Sequence, residues 1–178
     1  MRYAALVIQL RQLTDADERA FFEGLDDWTA DDRSWHTLAW KPGMSYAEML
    51  ATLAAEHRGE VPEGRVPATM LYGFVDDRIV GRLHVRHALT EKLRRRGGHV
   101  GYAVAEQFRR RGYASEMMRQ ALPTCFDLGI RDLLITCADD NLPSCKLIEK
   151  FGGELEDRLW DDVDQEMIRR YRIDLRAR

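Results

Sequence analysis

Residues His99 to Gly129 read HVGYAVAEQFRRRGYASEMMRQALPTCFDLG, and this stretch decides the fold. His99 to Val104 has the composition of a strand. Ala114, Met117, Met118, Ala121, Leu122, Cys125 and Phe126 then recur at helical spacing, which predicts one apolar face of an amphipathic helix. Gly129 stops it, and Pro123 inside the pattern predicts a kink or an early end. Between strand and helix lies a loop with three arginines and a glycine. The first amides of a helix have no internal partner and, with the helix dipole, favour an anion. Gly112 permits close backbone approach, and Ala114 keeps the next turn small. A helix start prefers acids, so Arg109, Arg110 and Arg111 make sense there if a polyanion such as a pyrophosphate binds. A solvated charge run that merely ends a loop explains them nearly as well. Two other phosphate loops fit worse. The nucleotide P-loop needs Lys then Ser or Thr after its second glycine, and the dinucleotide fingerprint needs three spaced glycines. Here Tyr113-Ala114-Ser115 follows Gly112, and no second or third glycine is in place.

Outward from this stretch the period supports a mixed α+β chain. Leu133 to Cys137 reads as a strand covered on both faces. Asn141 caps a further helix with Pro143 in its first turn and Gly152-Gly153 at its end. The strand–helix–strand order implies at least one parallel strand pair with a right-handed crossover. Leu155 to Trp160 and Met167 to Leu175 read as a closing pair of strands. Upstream, Thr69 to Val75 and Arg78 to Val85 form a hairpin about Asp76-Asp77, and LTEKLRRRGG reads as a basic loop. Leu6 to Leu10 is a first strand candidate. Thr14 or Asp15 caps a helix to about Leu25, and Ser45 with Glu48 forms a capping box before another. The loop His57 to Pro67 separates this helical part from the rest.

Composition sets the outer bounds. With 178 residues, 45% apolar and 32% charged, the chain is an ordinary globular domain that needs no metal or disulfide staple. The net charge of −3 gives no overall basic excess for nucleic acid. Cys125, Cys137 and Cys145 are odd in number with no CxxC spacing, which favours core roles and a reducing, cytoplasmic setting. The apolar run near the N-terminus is too short for a signal or membrane span. His84 and His87 are three apart on a strand and point to opposite faces, which argues against a shared metal.

Two blocks in order carry a family resemblance. Arg109-Arg110-Arg111-Gly112-Tyr113-Ala114 matches the acyl-CoA signature Q/R-x-x-G-x-G/A. Asn141-Leu142-Pro143-Ser144, with Leu147-Ile148-Glu149-Lys150-Phe151-Gly152, stands where the next block falls. The chain resembles the GNAT acetyltransferase superfamily from about Thr69 to Leu175, in a subgroup of bacterial acetyltransferases. The resemblance implies a mixed, mostly antiparallel sheet with one parallel strand pair, flanked by helices. It implies one acyltransferase domain over residues 1–178, with an acceptor-side helical part at 1–66 and the CoA-binding core at 67–178. Acetyl-CoA would be the cosubstrate, with no metal. Tyr102, Ala103 and Val104 would offer edge groups to the pantetheine arm, and Arg109, Arg110, Arg111, Gly112, Tyr113 and Ala114 would wrap the pyrophosphate. Asn141 and Ser144 would meet the CoA arm near the thioester, and Lys146 or Lys150 the adenosine phosphates.

The implied activity is acetyl transfer to a primary amine, on a small molecule or a peptide, by direct attack in a ternary complex. Neither nucleic acid nor membrane is an expected partner, and a homodimer is compatible with the reading. An amine with a pKa near ~10.4 must lose protons as it attacks. Base candidates are Glu106, His99 and His84, each of which is also explained as a solvated or structural residue. The tyrosine many family members use as general acid corresponds to Ile148, so the acid is open. Two rivals stand beside this reading. One is a CoA-binding regulator without catalysis; the other, weaker, is a nucleic-acid module built on Arg94-Arg95-Arg96 and Arg109-Arg110-Arg111. Trp28, Trp35, Trp40 and Tyr46 read as core cover or as an acceptor pocket, with Asp26, Asp27, Asp31 and Asp32 suited to a cationic amine.

Overall fold

A computed structural model describes residues 8–29 and 39–176. Its strands and helices, in chain order, are β1 (Gln9–Arg11), α1 (Glu18–Gly24), α2 (Tyr46–Arg58), β2 (Ala68–Val75) and β3 (Arg78–Arg86). They continue as α3 (Glu91–Arg95), β4 (Val100–Val104), α4 (Tyr113–Asp127), β5 (Asp132–Ala138), α5 (Leu142–Lys150), β6 (Glu154–Asp161) and β7 (Glu166–Asp174). Strands β1-β2-β3-β4 form an antiparallel meander, and β5-β7-β6 form a second antiparallel sheet. The class is α+β, as the periodicities indicate. Residues 1–7, including the start of the expected first strand, lie outside the described residues, as do Asp31, Asp32 and Trp35.

Helices cover both faces of the meander. On one face Phe21, Tyr46, Met49 and Leu53 pack on Met70, Tyr72, Phe74 and Ile79. On the other, α4 lays Met117, Met118, Ala121 and Cys125 on Leu71, Val80, Leu83 and Val104, and this core continues to Leu133, Ile135 and Tyr171. Two glycines decide how close α4 comes. Gly73 and Gly81 are paired across β2 and β3. A Cβ at Gly73 would stand 2.7 Å from Met117 Sδ, and one at Gly81 3.0 Å from Met117 Cε. The trough they leave seats the methionine. Gln120 ties the edge strand to α4, accepting from the Leu10 amide at 2.9 Å and donating to the Ile8 carbonyl at 2.8 Å.

Three expectations need correcting. Among the described residues no parallel ladder forms: β5 pairs with β7, and it meets the β4 side only at one end. There the His99 amide donates to the Leu134 carbonyl at 2.8 Å. The Leu134 amide, which a ladder would use, instead donates to His99 Nδ1 at 3.0 Å, and beyond that point the strands separate. Second, the basic LTEKLRRRGG segment contains a short helix. Thr90 Oγ1 accepts the Leu93 amide at 3.2 Å, and Lys92, Arg94 and Arg95 sit near the C-terminal end of the dipole. Third, the early end that Pro123 allowed does not occur: α4 runs through it to Asp127. Pro123 lies on the exposed side, where solvent can satisfy the carbonyl its missing N–H leaves free. No helix among the described residues is long and apolar enough to cross a membrane.

Candidate active site

The loop before α4 is built around two left-handed residues, Arg110 (φ 61°) and Gly112 (φ 84°). Gly112 adopts this conformation without a Cβ penalty and is the N-cap of α4. The Glu116 amide is the first to bond back, to the Gly112 carbonyl at 3.1 Å. The amides of Tyr113, Ala114 and Ser115 are thus the helix's N-terminal donors. Phe108 anchors the loop in the core, with the Arg78 and Arg111 guanidinium groups 5.1 and 5.8 Å from its ring centre. Arg109 Nε donates to the Val104 carbonyl at 3.0 Å, so this side chain also braces the turn. From α5, Lys150 Nζ donates to Ser115 Oγ at 2.7 Å. A lysine from one helix and an arginine-rich loop therefore share one helix start, an arrangement suited to phosphate groups.

Beside this loop lies the gap between β4 and β5. Tyr102, Ala103 and Val104 pair with Leu83, Arg82 and Gly81 of β3, and among the described residues no strand pairs with the opposite edge of β4 past His99. Tyr102 reaches over the gap, its hydroxyl 2.6 Å from Ser144 Oγ. Asn141 Oδ1 accepts the Ser144 amide at 3.1 Å and fixes the first turn of α5. Burial pushes the Tyr102 phenol up to about 12. Ile148, on the next turn, is fully buried in the core.

The three base candidates fall in three environments. Glu106 is exposed in the turn after β4. His99 lies at the other end of that strand, with Nδ1 engaged by Leu134; burial first, then nearby Arg172, holds it at about 4. His84 is on β3 opposite Gly101, on the face covered by α2. Burial lowers its pKa, and Glu56 of α2 partly offsets this from 3.7 Å (Oε2 to Nε2). Among the described residues neither ring nitrogen of His84 has a partner within hydrogen-bond distance, and Glu56 at 3.7 Å is the acid set against it. Sequence reasoning overlooked Glu56, although it lies three residues past Leu53 and seven past Met49 on the inner face of α2. No sequence signal joins Tyr102 to Ser144, because the contact depends on how far the strands splay.

Other singled-out residues serve the fold. Trp28 is buried in the larger core, and Trp40 packs edge-on against Phe22 at 5.7 Å. Asp27 accepts from Arg78 at 2.8 Å and from Gln107. Cys125, Cys137 and Cys145 are buried and free.

This architecture has a family. The family model described as acetyltransferase (GNAT) domain matches residues 8–154, and the chain belongs to the GNAT acetyltransferases. No curated protein matches it. Among solved structures, Mycobacterium smegmatis RimJ in complex with CoA-disulfide is similar at 21% identity and a TM-score of 0.67, over 96% of this chain and 83% of that one. RimL, a ribosomal alpha-N-protein acetyltransferase, aligns at 17% identity and 0.63, over 96% and 95%. Salmonella typhimurium yncA with its cofactor acetyl-CoA aligns at 11% and 0.59, over 94% of each chain. At these identities the likeness shows a shared fold.

Proposed function

We propose that this chain is an acetyl-CoA-dependent N-acetyltransferase that moves the acetyl group to a primary amine by direct attack in a ternary complex. The observation that carries the reading is the unpaired edge of β4 opening beside the amide-lined, arginine-rich start of α4. An extended acyl carrier with an anionic end fits a strand edge that leads to an anion-binding loop. RimJ and yncA, of the same fold, hold CoA-disulfide and acetyl-CoA. The loop Arg109 to Ala114 holds the pyrophosphate through the amides from Arg110 to Ala114, since the Arg109 amide is spent on the Glu106 carbonyl; the arm runs along Tyr102, Ala103 and Val104, and Asn141 and Ser144 flank the thioester end.

His84 is the base this reading favours. Its lowered pKa keeps it neutral at neutral pH, its nitrogens make no hydrogen bond among the described residues, and opposite it on β4 stands Gly101, which has no side chain to block the way. Support is weaker for His99, whose Nδ1 is occupied, and for Glu106, which belongs to the loop. As the amine nitrogen bonds to the carbonyl carbon, His84 takes its proton, and an amide on the free β4 edge steadies the oxyanion. The buried free cysteines fit a reducing compartment such as the cytoplasm. The test is direct. Acetyl-CoA should raise the melting temperature, and an amine panel should release free CoA thiol with an acetylated product seen by mass spectrometry. Stabilisation without turnover on any amine would point to a binding protein, and no stabilisation would remove the reading.

A further inference from the structure

We propose that Cys137 and Cys145 are a modification site, a dithiol that a hydroperoxide closes reversibly to a disulfide beside the gap between β4 and β5. The inference stands on these two residues and does not need the acetyl-CoA reading. Their sulfurs lie 3.5 Å apart, and a disulfide needs about 2.05 Å. Cys137 sits near the end of β5 and Cys145 in the first half of α5, so a link joins sheet to helix across one short turn. That turn is held. Asp139 accepts from Arg169 Nε at 2.7 Å, and Asn141 Oδ1 from the Ser144 amide at 3.1 Å. The fold therefore keeps the two sulfurs facing each other. Cys145 follows Ser144, whose Oγ is 2.6 Å from the Tyr102 hydroxyl of β4, which puts the pair at the gap.

Exposure sets the order of events. Cys137 is 9% exposed and Cys145 3%, so an oxidant meets Cys137 first. Burial, and then Cys145, holds the Cys137 thiol above its usual range, while the Ser144 hydroxyl and the Arg169 guanidinium act the other way. The pair rests as two thiols in a reducing setting and reacts slowly. Hydrogen peroxide is small and uncharged, which suits a sulfur with so little open surface. The Cys137 thiolate attacks one peroxide oxygen, the oxygen–oxygen bond breaks, and the departing hydroxide takes up the thiol proton as water. The Cys145 sulfur then attacks the sulfenic acid, the sulfur–oxygen bond breaks, and a second water leaves with its proton. Two thiols lose two hydrogens and two electrons, and one peroxide becomes two waters. The second step is intramolecular, so the link forms before Cys137 oxidises further.

The test counts thiols. Reduced full-length protein is treated with a small excess of hydrogen peroxide, quenched with catalase, denatured and alkylated with a maleimide. Intact mass should show the three free thiols reduced to one. A peptide map should join Cys137 to Cys145 and leave Cys125 alkylated, and dithiothreitol should restore all three. Three alkylated thiols, a link that includes Cys125, a link between chains, or a sulfinic acid at Cys137 would each overturn the proposal. The order is tested with two variants and a sulfenic acid trap such as dimedone. Cys145→Ser should give a trapped adduct at Cys137, and Cys137→Ser should leave Cys145 a thiol over the same time. Trapping at Cys145 alone would overturn the order and the site with it. Should neither variant fold, the wild-type peptide map decides.

Discussion

Glu56 Oε2 lies 3.7 Å from His84 Nε2, a carboxylate set against a buried imidazole. Arg65 also bonds Glu56, at 3.2 Å, and Arg82 and Arg86 of β3 act on His84 in the opposite sense to Glu56. Glu56 therefore keeps His84 more basic than burial and the arginines alone would. Removing the imidazole in His84→Gln should lower kcat/KM about 100-fold or more and abolish the acid limb of its pH profile. Glu56→Gln should lower the plateau less and move that limb to lower pH, since His84 then loses its proton sooner as pH rises. An unshifted limb in both variants would assign the proton to another group.

His99 makes a separate prediction, about stability. Its ordinary value of 6.5 falls to about 4 in the fold, so the unfolded chain binds the proton more readily. Stability from this group is complete above 6.5 and lost as pH falls toward about 4, by about 3 kcal/mol. Asn at position 99 can accept the Leu134 amide without titrating. Urea unfolding of His99→Asn should show a shallower loss between those limits than the wild type. Some slope should persist, because His84 and His87 are also lowered. Equal slopes would mean that His99 is not held neutral.

Gly98 stands where the two sheets touch. A Cβ there would lie 2.4 Å from the Leu134 carbonyl oxygen, at a φ of +59°. Strand β5 would have to move, and with it the point from which the gap opens. Gly129 is the control, with a φ of +85° and nothing within 4 Å of an added Cβ. Gly98→Ala should cost about 2 kcal/mol or more and Gly129→Ala about 1, read from urea midpoints at constant slope. Equal costs would leave only backbone strain at Gly98.

How far these features were legible depends on whether they are local. The caps Ser45 and Asn141, the spacing of Met117, Ala121 and Cys125, and the hairpin turn at Asp76-Asp77 are written within a few residues, and each was readable. The meeting of β4 and β5 was not, because a side chain, His99 Nδ1, replaces the backbone acceptor that would continue a ladder. The pairs His84–Glu56 and Tyr102–Ser144 join residues 28 and 42 apart, so only the packed structure brings them together. Pro123 does not end α4, because a helix tolerates proline where the orphaned carbonyl faces water.

The loop assignment has the sharpest test, at Gly112. Its φ of 84° suits glycine and is tolerated by asparagine and aspartate. Gly112→Asn and Gly112→Asp thus impose similar backbone cost and similar bulk, and differ in one negative charge. Where the amides of Tyr113, Ala114 and Ser115 receive a pyrophosphate, the carboxylate of Gly112→Asp competes for the same donors and repels the ligand. Its acetyl-CoA affinity should fall at least about 100-fold below that of Gly112→Asn, roughly 3 kcal/mol by the usual conversion. A carboxylate at the helix start also favours the dipole, so the Asp variant should melt no lower than the Asn variant without ligand. Calorimetric titration at two salt concentrations separates the effects, since charge repulsion weakens with screening and a steric block does not. Equal affinities in the two variants would place the carrier's phosphates somewhere other than this loop.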